Sequence, residues 1–152
     1  MRQTTLWMIV VWDQILLCMK KRWFGVWLWN GAGWKCEKDE SIEDAMIREL
    51  QEETGLDTTK EDLENMWVLH FFFEQNHDWD QDVNIFKINK FHWEPTETEE
   101  MKPKWFAINE IPYHEMWEDD IIWLPRMLSG EKVEYDFTFG MDGKIKAYKL
   151  IK

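Results

Sequence analysis

The feature that most constrains this 152-residue chain is a run of charged residues within residues 33–56. Glu49, Glu52 and Glu53 are spaced i,i+3 and i,i+4, so a helix here would present all three on one face. Like charges stacked in this way repel each other, and a solvated helix gains nothing from the arrangement. A hard divalent cation prefers oxygen ligands and would turn the repulsion into coordination. The spacing therefore favours a metal site, with an ordinary acidic surface helix as the alternative.

The same region carries start and stop signals for a helix. Ser41 with Asp44 three residues later is typical of a capping-box start, and Gly55 is typical of a C-terminal stop. Arg48 precedes Glu52 by four residues and can orient that carboxylate. The apolar side chains between the two ends are Ile42, Ala45, Met46 and Leu50. We therefore predict an amphipathic helix that also carries the carboxylates.

This region resembles the Nudix box, in which a glycine is followed after five residues by a glutamate and after seven more by Arg-Glu-aliphatic-x-Glu-Glu-x-Gly-aliphatic. The matching residues are Glu40, Arg48, Glu49, Leu50, Glu52, Glu53, Gly55 and Leu56. The opening glycine differs, because Trp34 occupies its position. The resemblance implies an α/β protein, a Nudix α/β/α sandwich with a mixed β-sheet and two main helices. It also implies a single Nudix hydrolase domain over residues 1–152, with the box at residues 34–56.

Hydrophobic patterning outside the box predicts a strand-rich domain. The predicted strands cover residues 4–11, 15–19, 63–74, 83–91, 105–108, 133–139 and 145–151, with a short strand before the box. The other predicted elements are a helix at residues 119–128, a polar turn at 75–80 and an acidic loop at 95–102. Two helices among many strands indicate an α/β/α sandwich.

Composition narrows the class of partner. The net charge of −12 argues against a general nucleic-acid binder, which needs a basic surface. Cys18 and Cys36 show no pairing pattern, which fits a reducing compartment. The apolar run at residues 6–12 is too short to span a membrane and lacks a cleavage region. We expect a soluble cytoplasmic monomer that acts on a small molecule and binds neither nucleic acid nor membrane.

Beyond the box, two segments resemble one Nudix subfamily, the mammalian-type oxidised purine nucleoside triphosphatases that act on 8-oxo-dGTP. The segments are LLxMKKRxFGxxxWNGxG at residues 16–33 and EMKPKWFAINEIPYHEMWEDDIIWLP at residues 100–125. The residues that match substrate-contacting positions are Thr5, Lys20, Phe24, Asn30, Ala32, Gly33, Trp34, Lys35, Phe71, Phe73, Gln81, Trp117, Glu118, Asp119 and Asp120. The resemblance implies that Asn30 and the two aspartates hydrogen-bond the base and that Trp117 stacks on it. Gln81 stands where the mammalian protein carries methionine, so the resemblance leaves the pocket selectivity of this chain open.

The adjacent pair Asp119 and Asp120 has its own chemical argument. Two neighbouring carboxyls in a partly dry pocket do not both ionise easily, so one pKa should rise. A protonated carboxyl donates a hydrogen bond and an ionised one accepts, which suits 8-oxoguanine, whose N7 carries a proton. The alternative is a plain helix N-terminus, where acidic residues are favoured anyway. Phe71 and Phe73 likewise share one strand face and can be core residues.

The resemblance also implies a mechanism, in which substitution at phosphorus releases a nucleoside monophosphate and pyrophosphate. The implied ion is Mg²⁺, with Mn²⁺ as the alternative, and it would activate water. Its implied ligands are the Gly33 carbonyl, Glu49, Glu52, Glu53 and Glu100. Either Glu53 or Glu100 can be the general base, and the sequence does not decide between them. Arg48 would position a glutamate, and Lys35 would face phosphate.

Many of the 12 tryptophans stand where glycine is expected from the family or from the backbone. These are Trp12, Trp23, Trp27, Trp34, Trp67, Trp79 and Trp93. One hypothesis is that UGA codons read as glycine in the source organism are written here as tryptophan, and TGG in the coding DNA would contradict it. Because an indole obstructs positive φ and close approach, Trp34 beside the phosphates would impair turnover.

Three alternatives to the oxidised-nucleotide hydrolase remain open. The first is a Nudix hydrolase of another nucleoside diphosphate derivative. The second is a nucleotide- or metal-binding module whose catalysis is disabled at Trp34. The third is a structural acidic domain, which would show no thermal shift with any ligand.

Overall fold

The protein is described from a computed structural model, which covers residues 1–21, 28–31, 36–99 and 101–152. The strands are β1 (Arg2–Val11), β2 (Gln14–Lys20), β3 (Trp29–Asn30), β4 (Leu63–Phe73), β5 (Gln81–Ile88), β6 (Met101–Ala107), β7 (Val133–Phe139) and β8 (Ile145–Leu150). The α-helices are α1 (Ile42–Thr54) and α2 (Asp120–Leu128). Short 3₁₀ turns lie at Lys60–Asp62, His77–Trp79, Ile108–Glu110 and Tyr113–Glu115. Within this part of the chain, no helix is long and apolar enough to cross a membrane.

The strands form one mixed sheet. Its order is β3-β2-β1-β5-β4-β7-β8, and β6 pairs with β2. The pairs β1–β5 and β4–β7 are parallel, and the remaining pairs are antiparallel. Along β7, every second residue from Val133 to Phe139 is buried. Because side chains alternate between the two faces of a strand, this pattern gives β7 one face toward the core. The predicted mixed sheet is confirmed.

The two helices cover opposite faces of this sheet. On one face, Met46 and Leu50 of α1 pack in a cluster with Trp7 and Ile9 of β1. On the other face, Trp123 of α2 packs in a cluster with apolar residues from β1, β4, β5 and β7. The predicted α/β/α sandwich is therefore confirmed, and each helix brings its acidic residues to a different face.

Local capping fixes the limits of α1. The Ser41 side chain accepts a hydrogen bond of 3.1 Å from the backbone N–H of Asp44. Gly55 ends the helix in the left-handed region at φ 78°, with its N–H bonded to the Gln51 carbonyl. A capping interaction of this kind stabilises a helix by about 1 kcal/mol. Both boundary predictions are confirmed.

The strand predicted at residues 105–108 is longer than expected and begins earlier. β6 starts at Met101 and pairs with β2 along its whole length, so the predicted acidic loop ends before this residue. Pro103 lies opposite Cys18, and it is tolerated because β6 pairs on one side only. The acidic and proline-rich composition indicated a loop, but long-range pairing with β2 makes residues 101–107 a strand.

Three tryptophans occupy backbone conformations that favour glycine. Trp12, Trp67 and Trp93 have φ values of 56°, 92° and 78°. An L-residue with a side chain is strained in this region. Trp79 is different, because it ends a 3₁₀ turn and its φ is not positive. Glycine-type backbone is thus confirmed at three positions and absent at Trp79, where a glycine expected from the family stays a prediction. Trp23, Trp27 and Trp34 lie outside the described residues.

Candidate active site

Arg48 is the centre of a carboxylate network on α1. Its guanidinium donates two hydrogen bonds to Glu40, from Nε at 2.8 Å and from Nη2 at 3.0 Å. Nη1 donates to Glu49 at 2.7 Å and to Glu52 at 3.2 Å. The predicted contact with Glu52 is therefore present, and two further carboxylates share the same cation. These partners raise the pKa of Arg48, so the guanidinium keeps its charge.

The three glutamates of α1 differ in burial. Glu49 and Glu53 are buried, whereas the Glu52 side chain is 59% exposed. Burial raises the pKa of Glu49, while the hydrogen bond and charge of Arg48 lower it. The Glu53 side chain lies close enough to interact with the Glu49 carboxyl. Two carboxyls in a dry location must share a proton or meet a cation, so the surface-helix alternative does not describe this face.

Glu53 faces β2 and lies near the segment that leads into β6. Burial and the charge of Glu53 raise the pKa of the Cys18 thiol on β2. The Thr98 hydroxyl donates to the Glu53 carbonyl at 3.4 Å. Cys18 in turn pairs with Asn30 of β3. The end of α1 thus lies near β2 and the loop before β6.

The donors on α1 fit a hard divalent cation because all of them are carboxylate oxygens. Among the described residues, no group of three His, Cys, Asp or Glu side chains is already arranged around one point as metal ligands. Two of the predicted ligands, Gly33 and Glu100, lie outside that part of the chain. The predicted site residues that lie outside the described part of the chain are Phe24, Ala32, Gly33, Trp34, Lys35 and Glu100.

A second carboxylate group lies at the start of α2. Asp119 precedes the helix and Asp120 is its first residue, and each is only 4% exposed. Asp119 accepts a hydrogen bond of 2.8 Å from the indole N–H of Trp123, one turn later. The Oδ2 atom of Asp120 is buried and has no hydrogen-bond partner among the described residues. A plain helix N-terminus would leave these carboxyls in water.

Burial determines the protonation of this pair. It raises the pKa of Asp119 to about 6, and the charge of Glu118 adds to the effect, while the Trp123 bond opposes it. Burial and then the charge of Asp119 raise the pKa of Asp120 well above its usual range. The sequence predicted one raised pKa, and the structure shows two, because both carboxyls are desolvated. Both shifts favour the protonated form, so the pair can present a hydrogen-bond donor as well as an acceptor.

Aromatic side chains line the sheet on the α2 side. Phe71 and Phe73 contact each other edge to face, with ring centroids 6.4 Å apart. Phe139 of β7 stacks on Phe73 at 5.0 Å and contacts Phe71 at 5.4 Å. Sequence analysis missed Phe139. The alternation of β7 was the available signal, because it places Phe139 on the same face as Phe137.

The structure shows the hydrogen-bond partners of Gln81 and the sheet face of Thr5, two residues that are predicted to contact substrate. Gln81 accepts from the Thr4 hydroxyl at 3.1 Å and donates to the Trp79 carbonyl at 3.2 Å. Thr5 is buried on the β1 face that it shares with Trp7, which packs on the α1 side. Thr4 therefore lies on the face of the aromatic residues, and Thr5 on the opposite face. A role for Thr5 in substrate contact stays a prediction.

The remaining predicted residues lie at strand ends and in the loop before α2. Lys20 is the last residue of β2, and its N–H bonds to the Leu28 carbonyl. Asn30 is half-buried at the end of β3. Trp117 is half-buried, and its carbonyl accepts the Asp120 N–H. The exposed Glu118 accepts from the Ile145 N–H at 3.1 Å, so its carboxylate ties this loop to β8.

Comparison with known proteins places this arrangement in a family. A NUDIX domain model matches residues 1–127. The oxidized purine nucleoside triphosphate hydrolase of Danio rerio is 41% identical over 146 residues, which cover 96% of this chain and 92% of that protein. The protein of the same name from Mus musculus is 39% identical over 149 residues, with 98% and 94% covered.

A solved structure gives the same result for the fold. The mutator MutT protein of Bacillus halodurans superposes with a TM-score of 0.82 at 25% identity, covering 99% of this chain and 98% of that one. Nudix hydrolases require divalent metal cations, which agrees with the carboxylate chemistry of α1. With the family model matching most of the chain, and relatives matching nearly all of it, the chain belongs to the Nudix hydrolase family.

Proposed function

We propose that this enzyme hydrolyses oxidised purine nucleoside triphosphates, such as 8-oxo-dGTP, to the monophosphate and pyrophosphate. The observation that carries the proposal is the buried pair Asp119 and Asp120, with the Asp120 Oδ2 atom unpaired among the described residues. A buried polar atom without a partner is costly unless a ligand completes it. The similarity to oxidized purine nucleoside triphosphate hydrolases from two vertebrates supports the same substrate class.

The pair suits an oxidised purine because it combines two hydrogen-bonding roles. Because burial raises the pKa of both carboxyls, one protonated carboxyl of the pair can donate while the other, ionised, accepts. In 8-oxoguanine N7 carries a proton and is a donor, whereas in guanine N7 is an acceptor. A site with a fixed acceptor and donor rejects the base that presents the wrong edge. Phe71, Phe73 and Phe139 lie on the sheet face that α2 covers and would supply apolar contact to the base.

The triphosphate end would be handled by the α1 group. Its carboxylates, with the Gly33 carbonyl and Glu100, would hold Mg²⁺, or Mn²⁺ in its place. When bound, such an ion polarises phosphoryl oxygens and lowers the pKa of water. Arg48 holds Glu49 and Glu52 in fixed orientations, so these carboxylates are preorganised. Either Glu53 or Glu100 would take the proton from the attacking water, and Lys35 would face phosphate.

A second candidate is a binding module with impaired catalysis. The positive φ angles at Trp12, Trp67 and Trp93 favour it, because they show tryptophan standing at glycine-type backbone positions in this chain. Trp34, which replaces the box glycine, would then obstruct the phosphate side. This candidate predicts Mg²⁺-dependent nucleotide binding without turnover.

The test is pyrophosphate release from 8-oxo-dGTP and dGTP with Mg²⁺, with Mn²⁺ and with EDTA, on the chain and on Trp34→Gly. Metal-dependent turnover that strongly prefers 8-oxo-dGTP supports the proposal. Turnover only in Trp34→Gly supports the impaired module. Equal turnover of unrelated nucleoside diphosphate derivatives in a substrate panel would contradict the assigned substrate class.

We further propose that residues 1–152 act as a single monomeric domain in the cytoplasm, without a nucleic-acid or membrane partner. The net charge of −12 supports the absence of a nucleic-acid partner, because a polyanion is repelled by such a surface. Light scattering at assay concentration measures the oligomeric state. A dimer mass, or retention on DNA at physiological salt, would contradict this.

A further inference from the structure

The connection between β4 and β5 is a rigid turn that lies against the aromatic residues. Asn76 accepts the Asp78 N–H through its side chain at 2.9 Å, which starts the 3₁₀ turn His77–Trp79. The Asp80 carboxylate accepts the Phe73 N–H at 2.7 Å. These bonds fix both ends of the turn, so Trp79 has a defined position.

The Trp79 indole extends the aromatic group defined by Phe71, Phe73 and Phe139. Its ring meets Phe73 edge to face, with centroids 6.1 Å apart and planes at 80°. Phe73 is itself stacked on Phe139. Trp79 is 42% exposed, so part of its side chain remains accessible. An exposed aromatic residue beside a partly buried aromatic group can cover a planar ligand.

Gln81 connects this turn to the rest of the sheet. Its side-chain oxygen accepts from Thr4 of β1, and its nitrogen donates to the Trp79 carbonyl. Gln81 also pairs with Phe71 across the strands. Since its amide oxygen and nitrogen already have these partners, Gln81 is suited to hold the turn.

We propose that Trp79 is a specificity-determining wall of the base pocket and that Gln81 is a positioning residue acting through it. This inference rests on the proposed function and adds two residue roles to the same site. The ligand class is a purine base, which Trp79 contacts beyond Phe73. Gln81 donates a hydrogen bond to the Trp79 carbonyl and so fixes where Trp79 meets the base.

The first test compares Trp79→Ala with Trp79→Phe and with Trp93→Ala, a control at a tryptophan that is 76% exposed. Trp79→Ala should raise KM for 8-oxo-dGTP about five- to tenfold with kcat nearly unchanged, as expected for loss of one aromatic contact. Trp79→Phe should restore most of the affinity, and Trp93→Ala should leave KM unchanged. Unchanged KM in Trp79→Ala would overturn the inference while the proposed function stands.

The second test examines Gln81 through a double-mutant cycle. Gln81→Leu should raise KM about threefold alone and have little further effect in Trp79→Ala, because residues that act through one contact are not additive. Fully additive effects would contradict the positioning role.

Calorimetry with Mg²⁺ measures the binding of 8-oxo-dGMP to the same variants, so both comparisons can be made without the hydrolysis step. If the parent chain binds 8-oxo-dGMP but does not hydrolyse 8-oxo-dGTP, the base pocket is present and only the proposed activity fails. A parent chain that does not bind 8-oxo-dGMP would overturn both proposals.

Discussion

The two carboxylate groups of this enzyme have the same functional atoms in opposite settings. On α1, Glu49 and Glu52 share the Arg48 cation, and Glu52 is largely in solvent. At α2, Asp119 and Asp120 are both buried, and the neutral indole of Trp123 donates a hydrogen bond to Asp119. In the first group the Arg48 charge opposes the rise that burial causes in the pKa of Glu49. In the second group burial raises the pKa of both carboxyls, so this group favours protons more strongly.

This difference separates the two tasks of a nucleotide hydrolase. Charged oxygens attract a cation and, with it, the phosphates. A carboxyl that is neutral at pH 7 can donate to a base edge, which an ionised carboxyl does not do. The surrounding residues set the role of each group, since Asp and Glu in water have nearly the same pKa.

The largest effect should come from removing a charge in the α1 group. Glu53→Gln should lower kcat about 10³-fold, because loss of a metal ligand or general base removes the chemical step. Binding of 8-oxo-dGMP should change much less. Steady-state kinetics and calorimetry measure the two quantities, with Glu43→Gln on the same helix as the control. If a folded Glu53→Gln protein kept its kcat, the assignment of the chemical step to the α1 group would be wrong.

The next effect should come from neutralising the α2 group. Asp120→Asn keeps the shape but always presents an amide, so it should reduce the preference for 8-oxo-dGTP over dGTP about 30- to 100-fold. The measurement is the ratio of kcat/KM for the two nucleotides. The pyrophosphate products should be unchanged, because the α1 group is intact. A preserved ratio would show that Asp120 does not read the base.

The pH dependence of stability should also distinguish the groups. The pKa of Asp119 is about 6 in the folded protein, above its ordinary value of 3.8, so its folded state binds the proton more tightly. The unfolding free energy contributed by this group is therefore highest below pH 3.8 and falls as the pH rises to about 6. The fall should be about 2–3 kcal/mol, since one pKa unit is 1.36 kcal/mol.

Urea unfolding at intervals from pH 4 to 7.5 measures this decline. Asp119→Asn should make the curve shallower in that window, while Asp120 keeps its own pH dependence. The variant should also be more stable than the parent near pH 7, because the amide has no ionisation cost. The α1 variant Glu52→Gln is the matched control, and it should follow the parent curve because Glu52 is exposed. Parallel curves for the parent and Asp119→Asn would contradict the burial argument.

Local signals in the sequence predicted what depends on neighbouring residues. The limits of α1 follow from Ser41 and Gly55, whose capping chemistry acts within one turn. The contact from Arg48 to Glu52 follows from the i,i+4 spacing. The raised pKa of the aspartate pair follows from adjacency and from the expected pocket.

Features that depend on residues far apart in the sequence could not be predicted from these local signals. β6 exists as a seven-residue strand because β2 offers a free edge, and nothing within residues 101–104 indicates it. Phe139 joins Phe73 only after β4 and β7 pair in parallel. The bond from Arg48 to Glu40 spans the helix start, beyond the i,i+4 rule. Tertiary pairing supplies each of these.

The smallest effect should come from relieving backbone strain away from both carboxylate groups. Trp12 has φ 56° and is 94% exposed, so its ring contributes almost no packing. Trp12→Gly should raise the unfolding free energy by about 0.5–1 kcal/mol, because glycine adopts this conformation without the steric cost. Trp12→Ala removes the ring but keeps the strained φ, so it should gain little. Urea unfolding of the three proteins measures this, and kcat/KM and the 8-oxo-dGTP preference should not move. Equal gains from alanine and glycine would assign the effect to the indole, and the argument that Trp34 stands at a glycine position would lose its support from Trp12.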